Sequence, residues 1–218
     1  MSSLERAAGD AGASPEASGA MLTVLGVALE HAPTAPVLSK LPASMQVLLA
    51  VGRAAQDSPP ALRGVVHCIG LLVSALRDAH PAAGAVAAEW PHCAKAFAAI
   101  CQLCVDSRPK VRKQAAASVA AALRAVRGTP SAAPAGAAFA TMATRTARAP
   151  AKAAREMTDM HGTAGAKAAE GCAQAAATES LYLLGALKQV LGELEEPAAG
   201  EVAAAVTGLL ALGEPLLT

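Results

Sequence analysis

Aromatic side chains are nearly missing from this sequence. Its 218 residues include one Trp, one Tyr and two Phe: Trp90, Tyr182, Phe97 and Phe139. Pleated surfaces are filled by aromatic and β-branched side chains, so a β-sandwich or barrel is not expected. Cysteine is scarce too. Cys68, Cys93, Cys101, Cys104 and Cys172 are too few and too unevenly spaced for a disulfide framework, which points to a reducing compartment. Only 16% of residues are charged, but 54% are apolar, far too many for a disordered chain. The longest apolar run, between Arg63 and Arg77, has 13 residues. A bilayer needs about 20, so this run predicts a buried helix of a soluble protein and no membrane partner. The start of the chain carries Glu5, Asp10 and Glu16 without a basic lead into an apolar stretch, so neither a secretory signal nor an Arg-rich transit peptide is expected.

What abounds is alanine. There are 59 Ala, over a quarter of the chain, beside 18 Gly and 14 Pro. Ala, Leu, Arg and Glu lose little rotamer freedom in a helix, so the expected class is all-α. Residues 1–19 are small and polar and read as a disordered lead-in. Helical patterns follow near 20–31, 36–56, 60–79, 84–105 and 109–127, forming a first group over 20–127. Gly and Pro mark a loop at 128–136, and a second group over 137–218 reads as helices near 137–148, 151–170, 174–193 and 198–212.

Charge is unevenly spread along these segments. Residues 101–170 hold 11 basic and 4 acidic side chains, a net +7, whereas 171–218 hold 1 and 6, a net −5. The second group therefore has a basic first half and an acidic end, and the basic segment can act locally on a polyanion.

An internal repeat organises the helices. Residues 57–63 read DSPPALR and residues 106–112 read DSRPKVR, 49 positions apart, each between two apolar helices. In such a turn an Asp can cap the incoming helix, Pro suits its first turn because no N–H is needed there, and Leu or Val opens the buried stripe. Asp57, Pro60, Leu62 and Arg63 would form one junction, and Asp106, Pro109, Val111 and Arg112 the next. Stacked helical hairpins, each covering its neighbour's apolar face, make an α-solenoid.

The stretch DSRPKVRKQAAASVAAAL at 106–123 resembles a HEAT-repeat signature, with Asp106 in the turn, Val111 starting the second helix, and Arg112 and Lys113 after it. More narrowly, residues 61–125 resemble the N-terminal region of the ribosomal RNA-processing protein 12 family. The LRGVVHCIGLLVSAL helix, the segment reaching Trp90, and CVDSRPKVRKQA after an apolar helix carry this likeness; LYLLGALKQVL at 181–191 is similar to a later helix. The resemblance covers roughly half the chain and implies an α-solenoid of HEAT/armadillo-like hairpins, the N-terminal part of a longer array. It further implies a scaffold in small-subunit precursor rRNA maturation and nuclear export, located in the nucleolus and nucleus and able to shuttle to the cytoplasm. Its partners would be precursor ribosomal RNA, pre-ribosomal assembly proteins and nuclear transport factors. In HEAT-type repeats Arg112 would pair with an acid, either Asp106 or Asp57.

No catalytic arrangement stands out. Cys93, Phe97, Cys101 and Cys104 fall at i, i+4, i+8 and i+11, one helix stripe, so they read as core and not as zinc ligands. The phosphate-loop look of Gly162 to Lys167 lacks the required spacing and a preceding strand. No Ser/His/Asp constellation is visible, and His67 reads as a core or interface residue. No enzyme, cofactor, metal or small-molecule substrate is expected.

The basic residues offer more. Arg145, Arg148, Lys152 and Arg155 recur at i, i+3, i+7 and i+10, one helical face, although Pro150 could break it. Lys110 and Lys113 cluster at the second junction, with Arg124 and Arg127 at that helix's far end. Such cations can neutralise phosphates, or simply be solvated faces or favourable neighbours of a helix C-terminus. Without interleaved aromatics, RNA would be read by shape and charge, not by stacking. The acidic turn around Glu193, Glu195, Glu196 and Glu201 reads as a solubilising rim. A general HEAT adaptor, of the nuclear-transport or cytoskeletal kind, is the alternative reading.

Overall fold

Ser14 begins the first helix: its Oγ accepts the Ala17 N–H at 3.2 Å, and Pro15 occupies the first helical position, where no N–H is needed. In the computed structural model, described over residues 14–79, 83–159 and 163–212, the chain then runs from helix to helix. The helices are α1 (Pro15–His31), α2 (Thr34–Leu38), α3 (Leu41–Ala54), α4 (Pro59–Ala79), α5 (Ala83–Gln102), α6 (Pro109–Val126), α7 (Ala132–Asp159), α8 (Thr163–Val190) and α9 (Glu196–Leu212). Short 3-10 turns at Leu103–Val105 and Leu191–Glu193 follow α5 and α8. No strand occurs among the described residues.

The helices alternate between two layers. One holds α1, α4, α6 and α8 side by side, and the other holds α3, α5, α7 and α9. Consecutive helices pair across the layers as α3 with α4, α5 with α6, and α7 with α8. This is an all-α solenoid of antiparallel hairpins, as the repeat predicts.

Alanine and glycine set the spacing within a layer. A Cβ placed on Gly64 would meet the Leu22 Cβ at 2.6 Å, one on Gly70 the Ser118 Cβ at 2.8 Å, and one on Gly136 the Ala198 Cβ at 2.9 Å. The helices therefore approach closely at α1/α4, α4/α6 and α7/α9, and few bulky side chains are needed between them. The larger ones gather in the middle, where Trp90 and Phe97 lie 5.4 Å apart, ring to ring, at 59°. Among the described residues Gly128 alone takes a left-handed backbone, φ +72°, turning the chain from α6 into α7.

Helix α4 lies against α1, α2, α3, α5 and α6. Over Pro59–Arg77 its mean hydropathy is 1.4, so by length and composition it is long and apolar enough to cross a membrane, contrary to the run-length argument from sequence. The run extends because Arg63 interrupts it only once. More than half of that window is buried inside the protein, the mark of a central core helix.

Several boundaries differ from the sequence reading. The lead-in drawn over 1–19 ends earlier, since α1 starts at Pro15; residues 1–13 lie outside the described residues. The helix expected over 36–56 is split, because Pro42 has no N–H to offer the Leu38 carbonyl four residues back. The loop expected over 128–136 closes by Ala132, with Pro134 accommodated in the first turn of α7, where its missing N–H leaves no bond unmade. No break occurs at Pro150, which is buried inside the continuous α7. Proline leaves the Thr146 carbonyl without its usual donor. The buried Ser180 hydroxyl on α8 supplies one, 3.2 Å from Thr146 O, sharing its proton with the Ala176 carbonyl at 3.0 Å. Gly171, expected between two helices, sits inside α8; an exposed helical Gly costs about 1 kcal/mol, less than packing against α7 returns.

Candidate nucleic-acid interface

At the two junctions the prolines and the buried aliphatic residues stand at the helix starts, while the charged residues depart from the expected roles. Leu62 and Val111 are fully buried at the starts of α4 and α6, and Pro60 and Pro109 sit in the exposed first turns. Asp106 Oδ1 accepts the Arg108 N–H at 2.9 Å and the Arg108 Nε at 2.8 Å, while Oδ2 accepts from Nη2 at 2.7 Å. Arg108 Nη1 reaches across to the Gln56 carbonyl at 2.6 Å, joining the second turn to the end of the first. The bonds from Arg108 hold the Asp106 carboxyl below its ordinary range.

Arg112 does not pair with a carboxylate. Its Nη1 donates to the main-chain carbonyls of Asp106 and Ser107, both at 2.8 Å, and its guanidinium stacks 3.6 Å from the centroid of Tyr182 on α8. A rigid fork that has two carbonyls within reach and a ring beneath it needs no acid. Asp57 is exposed, and its position two residues before Pro59 gives it no N–H to accept. Arg63 is half-buried, with its Nε lacking a hydrogen-bond partner among the described residues, so it makes no junction contact like that of Arg112.

The cations of the basic segment fall into two groups. Arg124 Nε and Nη2 donate to Glu193 Oε1 at 3.1 and 2.6 Å, and Arg127 Nη2 lies 3.3 Å from Oε2. The Arg124 bonds chiefly lower the Glu193 pKa. Glu193 is thus a clamp between α6 and the turn after α8, not a solubilising rim residue, and these two exposed arginines are engaged in ion pairs with it. At the other end of α6, Lys110 and Lys113 are exposed; Lys113 lines a hollow of about 250 Å³ with Arg112 and Tyr182.

Arg145, Arg148 and Lys152 stand exposed on one face of α7, as their spacing predicts, because the helix runs through Pro150 unbroken. All three line a groove of about 690 Å³ whose other walls include Thr141, Glu179 on α8 and Glu201 on α9. Arg145 also donates to the Gln102 side chain at the end of α5. Lys110 and Lys113 are not part of this groove. The Arg155 side chain, like residues 160–162 at the start of the phosphate-loop look-alike, lies outside the described residues.

The thiols sit where the helix stripe places them. Cys68, Cys93, Cys101 and Cys104 are buried, and desolvation pushes Cys68, Cys93 and Cys104 up to about 12. Protonated and enclosed, they act as small apolar core groups at neutral pH. Among the described residues no group of three or more His, Cys, Asp or Glu is gathered for a metal.

Sequence reasoning missed three elements. Arg108, inside the repeat itself, makes the ion pair assigned to Arg112; Glu193 closes the far end of α6; Ser180 carries the helix past Pro150. Only the first left a signal, a charge two residues after an Asp in a turn.

No curated protein and no solved structure matches this chain. The family model for RRP12-like, N-terminal HEAT repeats matches residues 1–218. With its turns joined through Arg108 and its helices in two layers, the chain belongs to the RRP12-like N-terminal HEAT-repeat family.

Proposed function

We propose that this chain is a scaffold in maturation of the small ribosomal subunit precursor, contacting precursor rRNA along α7 and holding assembly proteins on its other surfaces. At the level of the family, RRP12-like HEAT repeats suggest a role in ribosome biogenesis, and HEAT-repeat families are generally non-catalytic helical scaffolds. The observation that carries the RNA reading is the cationic wall of Arg145, Arg148 and Lys152 along one groove. Glu179 and Glu201 on the opposite walls repel phosphate, so a backbone runs along α7 and does not fill the groove. With no aromatic side chain in the lining, binding is by charge and shape. Work in the nucleolus and nucleus, and contact with the export machinery, follow from the same reading.

The test is equilibrium binding of the chain to structured RNA at several salt concentrations. If three phosphates are neutralised, the log–log slope is about −2 to −3, by 0.7 to 0.9 per phosphate. Replacing Arg145, Arg148 and Lys152 together with Glu removes most of the affinity and flattens the slope. Tight binding that this triple variant retains would overturn the α7 assignment. A wild-type chain that ignores RNA even at low salt would leave a protein-binding solenoid.

A further inference from the structure

The seam between α3 and α5 holds a second feature, of a different chemistry. Two adjoining hollows of about 430 and 330 Å³ lie along it, and both are lined by Leu49, Arg53 and Lys95. One continues to Pro42 and Pro91, the other to Gln56 and Leu103, so the trough follows α3 for about 20 Å at 1.5 Å per residue. Its deeper half has a floor of buried core side chains, among them Leu48, Leu62, Ile69 and Ile100.

Arg53 and Lys95 face this trough from its two sides. Both are exposed, and neither makes a hydrogen bond or ion pair among the described residues. No acidic residue lines either hollow; His92 is the other titratable group there. The arginines at the far end of α6, by contrast, share the carboxylate of Glu193. An apolar floor beneath two unneutralised cations asks for a ligand with apolar side chains beside a carboxylate. Nucleic acid fits less well, because a phosphate backbone would use the two cations and leave the apolar floor of Leu48, Leu62, Ile69 and Ile100 unfilled.

We propose that the α3–α5 trough docks a short acidic and apolar segment of a protein partner, its carboxylates on Arg53 and Lys95 and its apolar side chains in the two hollows. The two linings share no residue, although Arg145 of the α7 groove donates to Gln102 at the end of the trough.

Selection of short random peptides displayed on phage against the whole chain provides the test, followed by fluorescence anisotropy of the enriched peptides. Peptides carrying Asp or Glu flanked by Leu, Ile, Met or Phe should be enriched. Their affinity should fall at least about tenfold in the Arg53→Glu/Lys95→Glu variant, since one or two charge contacts become repulsive. Ala99→Trp, which fills the deeper hollow from α5, should weaken binding similarly, whereas Arg148→Glu, in the α7 groove, should leave it unchanged. Arg53 and Lys95 are exposed and unpaired, so the charge variant should keep the parent's melting temperature. Enrichment of peptides without acids, no enrichment at all, or binding that survives both trough variants would overturn the proposal. So would a single-stranded oligouridylate whose binding depends on Arg53 and Lys95 when no peptide's does.

Discussion

The turns at 57–63 and 106–112 share five of seven positions by type, yet they close by different chemistry. In the second, Asp106 takes the N–H of the residue two places on, and that residue is Arg108, whose side chain returns to the same carboxylate. In the first, the residue two places on is Pro59, which has neither N–H nor a charged side chain. The Asp57 carboxylate is left exposed. Closure there falls to Ser58, whose carbonyl accepts the Leu62 N–H at 3.0 Å and whose Oγ lies 3.5 Å from the Ala61 nitrogen. The second turn makes the same backbone bond, Arg112 N–H to the Arg108 carbonyl at 3.1 Å. The Arg at this place in the pattern therefore adds a charged tie to a turn that the backbone already closes. The same side chain also lets the second turn reach the first, through the Gln56 carbonyl. The junctions share a shape because Pro and a buried aliphatic residue set the helix start; they differ in how strongly the turn is tied down.

What they share should break equally. Val111→Asp and Leu62→Asp each place a carboxylate where the native side chain is 0% or 1% exposed. Burying an unpaired charge costs several kcal/mol, so both variants should lose about 4 kcal/mol or more, enough to unfold a marginal domain. Thermal melting followed by circular dichroism checks this. An unchanged melting temperature in either variant would show that its helix does not start where it is placed.

What differs should break unequally. Asp106→Ala removes three hydrogen bonds from Arg108 at a partly exposed site, and should cost about 1 to 2 kcal/mol by the urea midpoint. Asp57→Ala should stay within about 0.5 kcal/mol, because the exposed Asp57 carboxylate acts on Arg108 through space and not through a hydrogen bond. Equal losses would mean that the Asp is needed for something other than the Arg108 contact. The Asp106 contact also sets a pH dependence. Asp106 has a depressed folded pKa, so its contribution is complete above the ordinary carboxylate value of about 4 and is lost as pH falls through the lower folded value. Asp106→Asn should therefore flatten the acid limb of the stability profile.

The same contrast explains what could be read from the sequence. The helical class, the hairpin repeat and the family were legible, because alanine content, the 49-residue period and the DSRPKVR stretch report local propensity and turn chemistry, which act within a few residues. The exposed face at Arg145, Arg148 and Lys152 was legible for the same reason, since helical spacing alone sets it. Contacts that join distant segments were not. Glu193 lies 69 residues from Arg124, and Ser180 lies 34 from Thr146. Pro150 looked like a break because its missing donor is local, whereas the hydroxyl that replaces it comes from another helix. The trough between α3 and α5 was equally hidden: Arg53 and Lys95 are isolated charges in sequence, and only parallel neighbouring helices bring them together.

A similarly small effect is expected at Ser58, and it is the sharpest probe of the first turn. An N-cap serine replaced by Ala typically costs about 1 kcal/mol, at the upper end when its oxygen bonds closely to the free N–H groups. Here the Oγ to Ala61 N separation is 3.5 Å, the limit of such a bond, while Pro59 and Pro60 have already removed two of the N–H groups a cap would serve. Ser58→Ala should therefore cost only about 0.5 kcal/mol, less than Asp106→Ala, measured by the same urea midpoint. A loss at Ser58 as large as that at Asp106 would mean that the first turn is held by its side-chain cap after all, and that the two prolines do not preorganise α4.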